Sequence, residues 1–238
     1  MPNSEARKKI TFITGANKGL GYETARRLIG IGQTVIIGAR DSERGQTAAK
    51  KLGARFVQID ISNDESVASA AKDILAHEGY IDVLINNAGI LGAHGPVETL
   101  TGPDAVELFN TNVAGIVRMT HAFVPVLRKS EHPAIINVSS GMGSFALTHN
   151  PKRVESTFAA PLYTASKAAV TMLTTQYAKG LSGIRVNAAD PGYTATEFNG
   201  NTGTQTVTEG TDAIVTLATE APEAGTGRII DRFGTVSW

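Results

Sequence analysis

The chain has 238 residues, with 22 lysines and arginines against 22 aspartates and glutamates, so its formal net charge is zero. That balance argues against a nucleic-acid binder or a polybasic membrane protein, which normally carry a basic excess. The lack of cysteine excludes disulfides, thiol catalysis and thiolate metal sites. Hydrophobic residues make up 42% and charged residues 18%, which fits a globular chain with a full core, organised as one large domain or two small ones.

The first ten residues, MPNSEARKKI, are polar and charged, and the stretch up to Lys9 is expected to fray. No apolar run long enough for a signal peptide or a membrane span follows, so the expectation is a soluble, cytoplasmic protein. Short runs rich in Ile and Val then recur at 10–14, 34–38, 55–59, 82–86, 134–138, 184–188 and 228–230. They are near-continuously apolar, as strands covered on both faces of a parallel sheet are. Helical patterns lie between them at 20–30, 43–51, 64–77, 103–128, 160–181 and 209–219. This alternation predicts an α/β fold: a single-domain, doubly wound parallel sheet of about seven strands flanked by helices, of the Rossmann type. Ligands bind such sheets beyond the carboxyl ends of the strands, so the residues after each strand are the place to look for function.

After the first strand comes TGANKGLG, with Gly15, Gly19 and Gly21 opening a helix. Glycines there let backbone approach a ligand, and the helix N-terminus favours an anion, as a dinucleotide pyrophosphate is. The second strand ends in GARD, where a site for NAD tends to place an acidic residue. Arg40 stands there instead, with Lys18 in the glycine turn, and two cations favour a 2′-phosphate and hence NADPH over NADH. Asp60 closes the third strand, where it can accept from an adenine amino group. NNAG at 86–89 closes the fourth: its small residues allow backbone contact with the adenosine ribose, and its asparagines can tie neighbouring strands together. Ser139 and Ser140 follow the fifth strand. Tyr163 and Lys167 lie four apart in a helical stretch, so they share one face. An ammonium beside a phenol stabilises the phenolate and brings a group with a pKa of roughly 10 toward the working pH. His121, His132 and His149 show no metal-ligand spacing, and no metal is expected.

Gly15-x-x-x-Gly19-x-Gly21, NNAG, Asn112, NVSS at 137–140, YTASK at 163–167 and PGY at 191–193 occur in the order of the short-chain dehydrogenase/reductases. The match runs from Ile10 nearly to the C-terminus, and the sequence most resembles the carbonyl-reductase branch, which uses NADPH. The resemblance implies an oxidoreductase that reduces ketones or aldehydes by hydride transfer. Tyr163 would be the general acid and Ser140, the second serine of its pair, would hold the substrate carbonyl. Lys167 would lower the phenol pKa and hold the nicotinamide ribose, and Asn112 would hold a water linking Lys167 to solvent. Cofactor contacts would come from Gly15, Asn17, Lys18, Gly19, Leu20, Gly21, Arg40, Asp60, Ile61, Asn87, Ala88, Gly89, Tyr163 and Lys167, with Pro191, Gly192 and Thr194 lining the nicotinamide side. Two other readings stay open: a dehydrogenase oxidising a secondary alcohol or sugar, and a non-catalytic NADP-binding sensor.

Two stretches depart from the commonest pattern. The segment between Ser140 and Tyr163 is long, which in this branch can cover an oligomerisation helix, so a homodimer or homotetramer becomes an open question. The glycine- and threonine-rich stretch after PGY, about 193–207, is read either as a mobile surface loop or as a small substrate lid. Such a lid leaves an open pocket, tolerant of bulky ketones.

Overall fold

The computed structural model describes residues 7–93 and 95–238. Strands β1 (Ile10–Thr14), β2 (Thr34–Ala39), β3 (Arg55–Gln58), β4 (Val83–Asn86), β5 (Ala134–Val138), β6 (Arg185–Ala189), β7 (Ile229–Asp231) and β8 (Gly234–Thr235) form one sheet in the order β3-β2-β1-β4-β5-β6-β7-β8. All neighbours pair parallel except β7 and β8. The order reverses between β1 and β4, which places the ligand crevice above their carboxyl ends. The doubly wound expectation holds, with eight strands rather than about seven. β8 escaped the sequence reading because a two-residue antiparallel return has no apolar period.

Helices α1 (Gly19–Gly30), α2 (Ser42–Leu52), α3 (Asp64–Glu78), α4 (Gly102–Phe109), α5 (Gly115–Leu127), α6 (Phe145–Thr148), α7 (Pro161–Gly180), α8 (Val207–Gly210) and α9 (Asp212–Thr219) connect the strands. Their ends follow local chemistry. Asp41 and Asn63 accept the Arg44 and Ser66 N–H groups as N-caps, each cap typically contributing about 1 kcal/mol. The continuous pattern at 103–128 is broken by a π-helical turn over Asn110–Ala114. There Asn112 leaves the helix face to pair with the Ile90 backbone, as π-bulges do when a side chain serves something other than packing.

Two apolar layers cover the sheet. One packs Leu28, Ile37, Ile85 and Ile214; the other packs Phe12, Ile74, Leu84 and Phe123, with the Phe12 and Phe123 rings stacked at 5.2 Å. The expected fraying falls partly on residues 1–6, outside the described residues. Arg7 and Lys9 are anchored instead: Arg7 pairs with Asp82 at 3.2 Å and lies 3.6 Å over the Tyr80 ring, while Lys9 Nζ donates to the Ala218 carbonyl at 3.1 Å. Among the described residues no helix is long and apolar enough to cross a membrane.

The contact that matters most for the site is between the segment after β5 and the first turns of α7. A Cβ on Gly143 would stand 2.6 Å from the Lys167 carbonyl carbon and 2.8 Å from the Ala168 nitrogen. Backbone cannot yield as a flexible side chain can, so Gly143→Ala is expected to cost about 1–3 kcal/mol, read as a lower denaturation midpoint with an unchanged m-value. A midpoint equal to wild type would show that α7 is not held at this distance.

Candidate active site

The turn after β1 is shaped for backbone approach. Gly15 and Gly19 have φ of 65° and 56°, the left-handed region that glycine enters without strain. Gly21 serves packing: a Cβ there would stand 2.5 Å from Asn87 Nδ2. That amide donates to the Thr14 and Gly15 carbonyls at 2.8 and 3.1 Å, so NNAG is fastened to the glycine turn. Asn86 donates to Asn137 Oδ1 at 2.9 Å, joining β4 to β5. Lys18 occupies the N-cap of α1 without a side-chain cap bond, which leaves the first N–H groups of that helix open to an anion.

At the end of β2, Arg40 is exposed on the rim of the cleft. Lys18, its expected companion, reaches across to Glu197, with Nζ 2.7 Å from Oε2. Both groups are more than half exposed, so the pair is weak and open to competition. Asp60 lines the cleft with Oδ1 accepting from the Ser62 hydroxyl and N–H at 2.6 and 2.9 Å. Burial pulls its carboxyl pKa up, but those two bonds, with Arg40 and Arg118, hold it below the usual range.

Ser140, Tyr163 and Lys167 meet at the carboxyl end of β5. Lys167 is 7% exposed; its Nζ donates to the Val138 carbonyl at 2.8 Å and lies 5.7 Å from the centre of the Tyr163 ring. Burial lowers its pKa to about 8, opposed by the charge of Asp190. The phenol behaves contrary to the sequence expectation. Burial pushes the Tyr163 pKa up, the Ser140 hydroxyl draws it down, and Asp190 adds to the rise. Asn112 uses its side chain to join two segments. Its Nδ2 donates to the Ile90 carbonyl at 2.9 Å and to Ser166 Oγ at 3.2 Å, while Oδ1 accepts the Ile90 N–H at 2.9 Å. It clamps the chain after β4 to α7.

All the site residues expected from the sequence except Gly21 and Asn112 line one cleft of about 880 Å³. The sequence reading missed Glu155, Asp190, and the aromatic wall of Phe158, Tyr193 and Phe198. Phe158 lies 5.6 Å from the Tyr193 ring, and Phe198 6.0 Å from the Tyr163 ring. Asp190 directly follows β6, so the strand-end rule alone could have found it. The aromatics sit in irregular segments, where no periodicity marks them. The stretch read as a mobile loop or a lid is internally tied: Thr194 bridges Gln205, Tyr193 Oη meets Thr202 Oγ1 at 2.7 Å, and Thr196 and Asn199 cap each other. A Cβ on Gly19 would meet Thr196 at 3.9 Å, so this stretch lies over the glycine turn.

The family model described as short chain dehydrogenase matches residues 9–206. A relative named short-chain dehydrogenase anuI, from Penicillium roqueforti (strain FM164), is 36% identical and covers 96% of each chain. A (+)-neomenthol dehydrogenase from Capsicum annuum is 31% identical over 88% of this chain and 91% of its own. The crystal structure of NADPH-bound carbonyl reductase from chicken fatty liver superposes with a TM-score of 0.86 at 26% identity, covering 98% of this chain and 100% of that one. A glycine turn at the sheet's switch point, a tyrosine and lysine one turn apart on α7, and a model match over most of the length make the chain a member of the short-chain dehydrogenase/reductase family of oxidoreductases.

Proposed function

We propose that this oxidoreductase reduces ketones or aldehydes to alcohols with NADPH. The observation that carries the reading is the meeting of Ser140, Tyr163 and Lys167 in the same cleft as the glycine turn and Arg40. The cleft fits a dinucleotide. Gly19 turns in the left-handed region with no close side-chain contact, the N-terminus of α1 carries no side-chain cap, and Arg40 and Lys18 line the same cleft as cations that suit a 2′-phosphate. NADPH in the similar chicken carbonyl reductase supports the choice.

When bound, the cofactor supplies the hydride. The rest is proton handling. The Tyr163 hydroxyl would give a proton to the carbonyl oxygen, and Ser140, whose hydroxyl draws the phenol pKa down, would orient the same oxygen. Lys167 provides positive charge beneath the pair. A phenol pushed up by burial is protonated near neutrality, the state in which carbonyl reduction begins. The wall of Phe158, Tyr193 and Phe198 matches a bulky, apolar carbonyl compound.

Tyr163→Phe is expected to bind NADPH as wild type does, by fluorescence titration, and to lose turnover by about 10²–10⁴-fold, the range of general acid–base catalysis. Retained turnover would end the proton-donor assignment. Isothermal titration should show NADPH binding more tightly than NADH, and Arg40→Ala should weaken NADPH about tenfold or more while leaving NADH nearly unchanged. Equal losses for both would remove Arg40 from the phosphate corner. Over a graded series of ketones, kcat/KM should rise with apolar bulk, and Phe158→Ala should raise KM for the largest members; activity confined to one small ketone would argue against the open apolar wall.

A further inference from the structure

If the chain is such a reductase, Lys167 must carry charge where burial disfavours it, and the fold provides a counter-charge. β5 and β6 run in register to Val138 opposite Ala189, and the Ser139 N–H donates to the Ala189 carbonyl at 2.8 Å. Lys167 Nζ is fixed on the Val138 carbonyl. Ser140, Lys167 and Asp190 therefore converge on the last residues of two adjacent strands, and all three line the cleft.

Asp190 is 2% exposed. Its Oδ1 accepts the Gly192 N–H at 2.9 Å; its Oδ2 has no hydrogen-bond partner. A Cβ on Gly141 would stand 2.8 Å from that Oδ2 and 2.6 Å from Glu155 Oε1, so the glycine after Ser140 admits two buried carboxylates. The neighbouring charges are otherwise engaged. Arg153 covers Glu155 with contacts of 3.0 and 3.2 Å. Asp231 accepts the Phe233 and Gly234 N–H groups at 2.7 and 3.0 Å, and Arg232 is paired with Glu209 and Asp212. From α7, Lys167 and Tyr163 feel the charge of Asp190. Asp190 itself makes no ion pair within 4 Å among the described residues.

We propose that Asp190 is a positioning residue for the reductase chemistry: its buried carboxylate is the counter-charge that keeps the Lys167 ammonium protonated beneath the reaction cleft. Its other role, shaping the Pro191–Gly192 turn, is separable. An asparagine oxygen accepts the same Gly192 N–H but carries no charge. Burial pushes the Asp190 carboxyl up, the Gly192 and Gly141 amides draw it down, and the Glu155 and Asp231 carboxylates raise it again. The sign for its partners follows. Asp190 raises the pKa of both Lys167 and Tyr163, so its loss lets both groups give up their protons at lower pH.

The test is Asp190→Asn, followed by NMR of protein carrying ¹³Cε-lysine, with Lys167→Met assigning the signal. The Lys167 midpoint should fall from about 8 by roughly one unit, and the alkaline limb of reductase kcat/KM should move to lower pH with it. An unmoved midpoint in a folded Asp190→Asn protein overturns the proposal. If that variant does not fold, the reciprocal measurement decides: in Lys167→Met the Asp190 ¹³Cγ midpoint should rise, and an unchanged one overturns the proposal equally. A wild type that consumes no NADPH with any carbonyl would sink the reductase reading while leaving the titration interpretable; normal turnover with an unmoved lysine would sink the counter-charge alone.

Discussion

The polar seam between β5 and α7 sets the geometry on which the rest of the site depends. Asn137 Nδ2 donates to Thr174 Oγ1 at 2.9 Å, Ser139 Oγ meets Thr171 Oγ1 at 2.9 Å, and Lys167 Nζ reaches the Val138 carbonyl at 2.8 Å. Thr174, Thr171, Lys167 and Tyr163 recur at helical spacing, so one stripe of α7 faces the strand. An apolar seam could slide by a fraction of a turn with little loss, whereas directional bonds in a buried setting accept one register. Gly143 brings the two backbones close enough for those bonds to form. Tyr163 is thereby placed as the next rung of a ladder whose lower rungs are structural.

The cofactor end is built by a different device. Gly15 and Gly19 turn the chain in the left-handed region, and Asn87 holds the turn by donating to two of its carbonyls. The stretch 193–206 then closes over it, with Glu197 meeting Lys18. Because that pair is exposed, its strength is small in water and smaller in salt. An anion entering the cleft beside the glycine turn would therefore compete with Glu197 for the lysine at small cost, which ties the position of the 193–206 stretch to the charge around Lys18.

Much of this was legible in the sequence, because the signals were local. Continuous apolar runs gave seven of the eight strands, and glycine and asparagine motifs at strand ends gave the cleft. What stayed hidden depends on contacts distant in sequence. Asn112 reads as a lone polar residue in a helix, and its pairing with Ile90 exists only once β4 and α7 flank it. The spacing of Tyr163 and Lys167 put the two groups in one place, but it could not show that burial pushes the phenol upward, because spacing shows proximity and says nothing about solvent. Glu155 and Phe158 lie in a long segment without periodicity and enter the cleft through the turns at Gly141–Gly143 and Val154–Thr157.

Burial acts on the two central groups with one physical effect and two chemical results. Desolvation favours the uncharged form of each: for Tyr163 that form holds the proton, and for Lys167 it has lost it. The phenol therefore needs no help to remain protonated near neutrality, whereas the ammonium, lowered to about 8, stands close to losing its charge. A negative group at this point assists the lysine and, by disfavouring phenolate, reinforces the protonated tyrosine. A cation in its place would strip the lysine first and then expose the phenol to ionisation. The side of this cleft opposite the glycine turn thus favours a carboxylate, and the end of β6 is where the parallel sheet presents one to both groups.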